Sequence, residues 1–151
     1  MNTAIARESL GTYSGLRIQQ TRDLALIRRL DARLFGNARA QPAAIDSSTW
    51  WVAYLGDRAV AFAGARVCKT DLKLVYLSRC GVLPAARGLG LQRRLIRCRI
   101  AWARRQAGRK AVITYTLAHN HHSSNNLIRC GFRLYDGKWI AADALYWWLD
   151  L

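Results

Sequence analysis

The most restrictive segment of the chain is Thr49 to Ile96, where three strand-like runs follow one another with only tight turns between them and lead into a glycine-rich turn. TWWVAYL and AVAFAGARVCK flank GDR, Gly56 to Arg58, and read as a hairpin. KLVYLSRCGVL, Lys73 to Leu83, reads as the next antiparallel strand after a turn at Thr70 and Asp71. Such a meander buries one face only if something packs on it, so helices must flank it. The following VLPAARGLGLQRRLI, Val82 to Ile96, opens one: from about Gly88 to Ala107, Leu91, Leu95, Cys98 and Trp102 form a core stripe, Arg93, Arg97 and Arg104 lie on another face, and Gly108 sits at a cap position.

The flanking sequence extends this pattern. LRIQQT, Leu16 to Thr21, alternates like a strand, and RDLALIRRLDARLF carries one helical stripe of Leu24, Ile27, Leu30 and Leu34. GNARAQPAAIDSS, Gly36 to Ser48, is a loop with room for a short helix. Downstream, RKAVITYTLA is a strand, HNHHSSNNLIRCGF a turn running into a short helix, and ALYWWLDL a final strand. Strands and helices mixed in this order predict an α/β (α+β) fold on one mixed, mostly antiparallel sheet. At 151 residues the chain is expected to form one domain, 1–151.

Charge narrows the partners. The net charge is +15, and no Asp or Glu occurs between Asp71 and Asp136, an interval that holds thirteen Lys or Arg. A solvated helix face explains some of these arginines but not the missing carboxylates, so the middle of the chain is expected to meet an anion. Cys68, Cys80, Cys98 and Cys130 form no CxxC pair and read as reduced, separately buried thiols. His119, His121, His122 and Cys130 match no familiar ligand spacing, so no metal is expected. The N-terminal segment has no apolar run suited to a signal peptide and no stretch reaches a membrane span, which makes the cytoplasm the expected compartment.

A strand that passes through a glycine turn into a helix aims several free N–H groups and the positive end of the helix dipole at one point, an arrangement that binds phosphate. Gly88 and Gly90 let a ligand approach the backbone, and Arg87, Arg93 and Arg94 supply charge. No Lys-Ser or Lys-Thr follows the glycines and no third glycine is present, so neither a nucleotide P-loop nor a dinucleotide fingerprint fits.

Val82, Pro84, Arg87, Gly88, Gly90, Leu91 and Leu95 resemble the acyl-CoA pyrophosphate motif of the GNAT superfamily of N-acetyltransferases, Val-x-Pro-x-x-Arg-Gly-x-Gly-(Ile/Leu)-(Gly/Ala). Asn120, Ser123, Gly131 and Phe132 are similar to a second motif of that family, and the element order agrees from about Leu16 to Leu151. The resemblance implies an acetyl-CoA co-substrate, with no metal, in a cleft where strands Lys73 to Leu83 and Lys110 to Ala118 splay apart. By the same resemblance, backbone groups near Cys80 and Val82 would pair with pantetheine amides. Arg87, Gly88, Leu89, Gly90, Leu91, Gln92 and Arg93 would hold the pyrophosphate, and Asn120 and Ser123 would line the pantetheine arm. Two positions depart from the pattern. Gln92 replaces the closing Gly or Ala, and Leu127 stands where many members carry a tyrosine proposed to protonate the departing thiolate.

Direct transfer to an amine needs the amine neutral, the carbonyl polarised and the leaving thiolate stabilised. The carboxylate gap leaves Asp31, Asp46, Asp136 and Asp143 as the acids within range, with Tyr76, Ser78 and His119 as other polar groups. Tyr115, five residues before Asn120, stands where some members place a glutamate base and is the candidate catalytic residue. An acceptor amine of low pKa would need no strong base. Trp50 is the candidate substrate wall, whereas adjacent Trp147 and Trp148 must face opposite sides of a strand, hinting at an interface in a monomer or homodimer. The alternative reading is a basic nucleic-acid-binding or RNA-associated protein on the same fold, including one that acetylates an RNA-borne amine.

Overall fold

The computed structural model describes residues 15–140 and 142–151. The stretch read above for a signal peptide lies largely outside them. The described chain forms seven strands and four helices: β1 (Leu16–Thr21), α1 (Leu24–Phe35), α2 (Pro42–Asp46), β2 (Thr49–Leu55), β3 (Arg58–Val67), β4 (Leu74–Val82), α3 (Leu91–Arg105), β5 (Ala111–Leu117), α4 (His121–Arg129), β6 (Arg133–Tyr135) and β7 (Ala144–Asp150). The strands make one sheet in the order β1-β2-β3-β4-β5-β7-β6, antiparallel throughout except for β4 beside β5.

Two cores sandwich this sheet. One face buries Val75, Leu77, Val112 and Trp147 against Leu91, Leu95, Ile96 and Ile100 of α3 and Leu127 of α4. The other buries Trp50, Val52 and Phe62 against Ile27 and Leu30 of α1 and Ile45 of α2. α1 starts at Asp23, whose carboxylate accepts from the Leu26 N–H.

The helices and the long strands lie where periodicity puts them, and three details differ. The stripe that α3 buries is Leu91, Leu95, Ile96, Arg99, Ile100 and Ala103, rotated from the expected one, so that Cys98 and Trp102 only flank the core. The rotation brings an arginine inward. The cap of α3 is Gln106, and Gly108 turns the chain two residues later. β6, unread in the sequence, is a three-residue edge strand beside β7 with an exposed face and no hydrophobic pattern of its own.

Trp50 is a correction. It is 2% exposed, packs on Phe62, and donates its indole N–H to the Ile45 carbonyl at 2.8 Å, so it is a core anchor for α2 and not a substrate wall. Trp147 and Trp148 do part to opposite faces: Trp147 is buried and donates to Thr116 Oγ1, and Trp148 is half-buried.

Candidate active site

The cleft originates in how β4 and β5 separate. Their parallel ladder lasts only from Leu74↔Ala111 to Tyr76↔Ile113. At the next step the Thr114 hydroxyl donates to the Leu77 carbonyl at 2.9 Å, a side chain replacing the ladder bond. On the other edge of β4, the register with β3 shifts between Ala63 and Ala65. An irregularity of this kind bends the strand, and here it accompanies the divergence of β4 from β5.

Beyond Val82 the chain makes a short 3₁₀ turn at Pro84–Ala86, then enters α3 through Gly88 (φ +82°) and Gly90 (φ +73°). Both have left-handed φ, which side-chain-bearing residues seldom adopt. Gly90 caps α3 without any side-chain hydrogen bond, and the first turn carries no acid, so the leading N–H groups of α3 remain available to an anion.

A cleft of about 650 Å³ opens at this point. Of the residues singled out from the sequence, the structure brings Cys80, Val82, Arg87, Gly88, Gly90, Leu91, Gln92, Arg93 and Ser123 to its walls. Leu89 packs toward the α3 core instead. Asn120 caps α4, its Oδ1 accepting from the Ser123 N–H at 3.2 Å, a contact that contributes about 1 kcal/mol to helix stability. Gln92 ties the two helices together: its amide donates to Ser123 Oγ at 3.0 Å and accepts from Asn126 Nδ2 at 2.8 Å. Sequence reasoning missed Leu34 and Phe35 of α1, which line the cleft beside Gly81, and Asn126 and Arg129, which line it from α4. The α1 residues reach the cleft only through tertiary packing, so no local motif reports them.

The carboxylates lie elsewhere. Asp31, 2% exposed, pairs with Arg79 Nε at 3.1 Å and accepts from the Ala40 N–H. Asp46 pairs with Arg28 at the surface, and Asp136 and Asp143 are exposed. Cys80 is a neutral thiol, pushed up by desolvation and only partly lowered by Arg99. Leu127 is 5% exposed among core residues.

Tyr76 and Tyr115 stand side by side on the opposite face of the splay, each meeting the ring of Trp139 edge-on at 5.5 Å. Burial first, and Tyr115 second, push the Tyr76 phenol up to about 12. It is therefore protonated at neutral pH and can donate but not accept a proton. Because the folded pKa lies above the ordinary value of 10, the associated stability is complete below pH 10 and is lost as pH rises through about 12. The Tyr76 share of the alkaline decline, about 2 kcal/mol between those limits, is expected as the difference between denaturant titrations of the wild type and of Tyr76→Phe, because the thiols and Tyr135, also pushed up by burial, contribute equally to both.

This is a single sheet opened between two parallel neighbours, with the uncapped N-terminus of α3 and its arginines beside the opening. Residues 18–132 match the sequence profile of the Acetyltransferase (GNAT) family, and the chain belongs to that family. No curated protein sequence matches it. Solved structures with the same fold include Arabidopsis thaliana NAA60 in complex with acetyl-CoA, 15% identical, TM-score 0.75, covering 90% of this chain and 99% of that one. A second is Arabidopsis thaliana Naa50 in complex with the bisubstrate analogue CoA-Ac-MVNAL, 20% identical, TM-score 0.72, covering 89% and 97%. A third is yncA of Salmonella typhimurium, a putative acetyltransferase with acetyl-CoA, 19% identical, TM-score 0.72, covering 91% and 94%. Among the described residues, no helix is long and apolar enough to cross a membrane, and no cluster of His, Cys, Asp or Glu is suited to a metal ion.

Proposed function

We propose that the protein, acting in the cytoplasm as one domain, transfers the acetyl group of acetyl-CoA to an amine by direct attack. One observation carries this reading: a single cleft is lined both by the glycine turn with Arg87 and Arg93 and by Cys80 and Gly81 of β4. The diphosphate would sit on the α3 N-terminus and the pantetheine along the exposed edge of β4, which would bring the thioester to the splay. Acetyl-CoA-bound neighbours of the same fold support the donor.

The acceptor follows from what the cleft lacks. Among the described residues no carboxylate lines it, and Tyr76 stays protonated, so a strongly basic amine would arrive as an unreactive ammonium ion. The reading therefore favours an amine of low pKa, such as a free α-amino group, with an ordinary value of about 7.7–8.0. Tyr115 is the residue assigned to the acceptor's proton. The arginines exposed on α3, Arg94, Arg97, Arg104 and Arg105, are what a nucleic-acid-binding alternative would use, and nothing in the cleft requires it.

An acceptor panel spanning α-amines, polyamines and arylamines, read by CoA release, tests the assignment. Transfer to low-pKa amines, and a fall of about tenfold for Tyr115→Phe with an altered pH profile, are expected. Preferential acetylation of polyamines, or full activity of Tyr115→Phe at every pH, would contradict it.

A further inference from the structure

Arg99 enters the site described so far only through its charge near Cys80, yet it is a buried cation with, among the described residues, no acid beside it. It lies on the inner face of α3, 2% exposed, and its donors go to main-chain carbonyls: Nε to Leu95 at 3.1 Å, and Nη1 to Gly64 at 3.0 Å and Ser78 at 3.3 Å. Among the described residues no carboxylate pairs with it. A charge taken out of water and held by neutral dipoles alone is expensive, and apolar replacements of buried charges are often neutral or stabilising. Packing therefore does not account for an arginine here.

Its position does suggest a use. Gly64 lies at the β3–β4 irregularity, and Ser78 lies just past the last parallel pair of β4 with β5. Thr114 takes the Leu77 carbonyl and Arg99 takes the Ser78 carbonyl, so the two together hold β4 where the strands part. Cys80, two residues further, lines the inner cleft and packs on the same core as α3. Gln92, seven residues before Arg99 and so two turns earlier on nearly the same helix face, lines the cleft nearer its mouth.

We propose that Arg99 supplies the positive potential that stabilises the departing CoA thiolate, replacing the proton donor that Leu127 cannot be. The proposal rests on the acyl-CoA reading of the cleft. In the step itself the amine nitrogen bonds to the thioester carbonyl carbon, and the carbon–sulfur bond breaks with its electron pair leaving on sulfur. The proton of the acylated nitrogen is relayed through the Tyr115 hydroxyl, the residue assigned to it above, to water. Arg99 neither gives nor takes a proton, since a guanidinium remains protonated. It acts through its field and through the β4 carbonyl it holds, and is a positioning residue. The titratable groups around it are Cys80 and Tyr76 on β4, Cys98 on α3 and Cys130 after α4; the cleft adds Arg87, Arg93, His122 and Arg129.

The thiol of bound CoA reports that potential without any acceptor. Its ionisation is followed by thiolate absorbance in the complex with the full chain, with the desulfo-CoA complex as the blank for the protein's own cysteines. The bound thiol is expected to titrate about one unit below free CoA, tenfold in its ionisation constant. Arg99→Lys should keep most of the shift and Arg99→Met lose it. A wild-type thiol that titrates like free CoA, or a shift that survives in Arg99→Met, overturns the proposal alone. Should the Met variant fail to fold, the unaltered protein still decides: its preference for CoA over desulfo-CoA should rise about tenfold with pH across the thiol titration, and a flat ratio overturns the proposal. Binding of neither ligand at millimolar concentration removes the acyl-CoA reading, and this inference with it.

Discussion

Replacing Arg87 and Arg93 together by alanine is expected to weaken CoA binding about hundredfold or more. Both line the mouth of the cleft beside the glycine turn, and among the described residues neither forms an ion pair. Arg87 is anchored by its Nε donating to the Val82 carbonyl at 3.2 Å, which leaves the rest of its guanidinium for a ligand. A charge-assisted hydrogen bond contributes about 1.5–3 kcal/mol, so two removed together correspond to roughly two or more decades in Kd. The helix N-terminus remains in the double variant, so binding weakens without vanishing. Arg104→Ala with Arg105→Ala is the control. These exposed residues lie at the far end of α3, about 17 Å from Arg93 by helix rise and beyond the Debye length of about 8 Å at physiological salt, so this pair should change affinity less than about twofold. Equal losses in both pairs would mean that CoA responds to overall charge and not to this loop.

Gly64→Val should lower stability by about 3 kcal/mol, near the top of the usual range for overpacking, and depress Tm by about 10 °C. Gly64 pairs with Trp50 across the β2–β3 ladder, and the indole lies over it. Even a single Cβ there would sit 2.5 Å from Ser78 Oγ and 2.7 and 2.9 Å from two ring carbons of Trp50. The rigid indole has no easy way to retreat. Trp50 is fixed by its bond to Ile45, and Ser78 sits at the bulge whose carbonyl Arg99 holds. Ser78→Ala added to Gly64→Val should recover only part of the loss, because the indole contact persists. Full recovery would place the clash at the hydroxyl alone.

The folding pattern was legible wherever a period was long enough to read. The meander from Thr49 to Val82, α1 with its Ile27 and Leu30 stripe, and the glycine turn before α3 all lie where alternation, helical spacing and left-handed glycines put them. What escaped was tertiary. β6 has three residues and owes its existence to β7. The inward turn of Arg99 could not be read from a stripe, because an arginine on a helix ordinarily marks the solvated side and this one is satisfied by carbonyls of two distant strands. Trp50 looked like a wall because it borders a loop, but its indole N–H found a partner inside. Gln92 departs from the family motif in sequence, and the fold shows why the departure is tolerated: it is occupied with Ser123 and Asn126 across the α3–α4 gap.

The central claim is that this cleft holds an acyl-CoA. Calorimetric titration of the full chain with CoA and with acetyl-CoA tests it most directly. One-to-one binding in the micromolar range, weakened by added salt and by loss of Arg87 and Arg93, is the predicted result. Absence of heat and of competition by either ligand at millimolar concentration, with the protein folded, would contradict it.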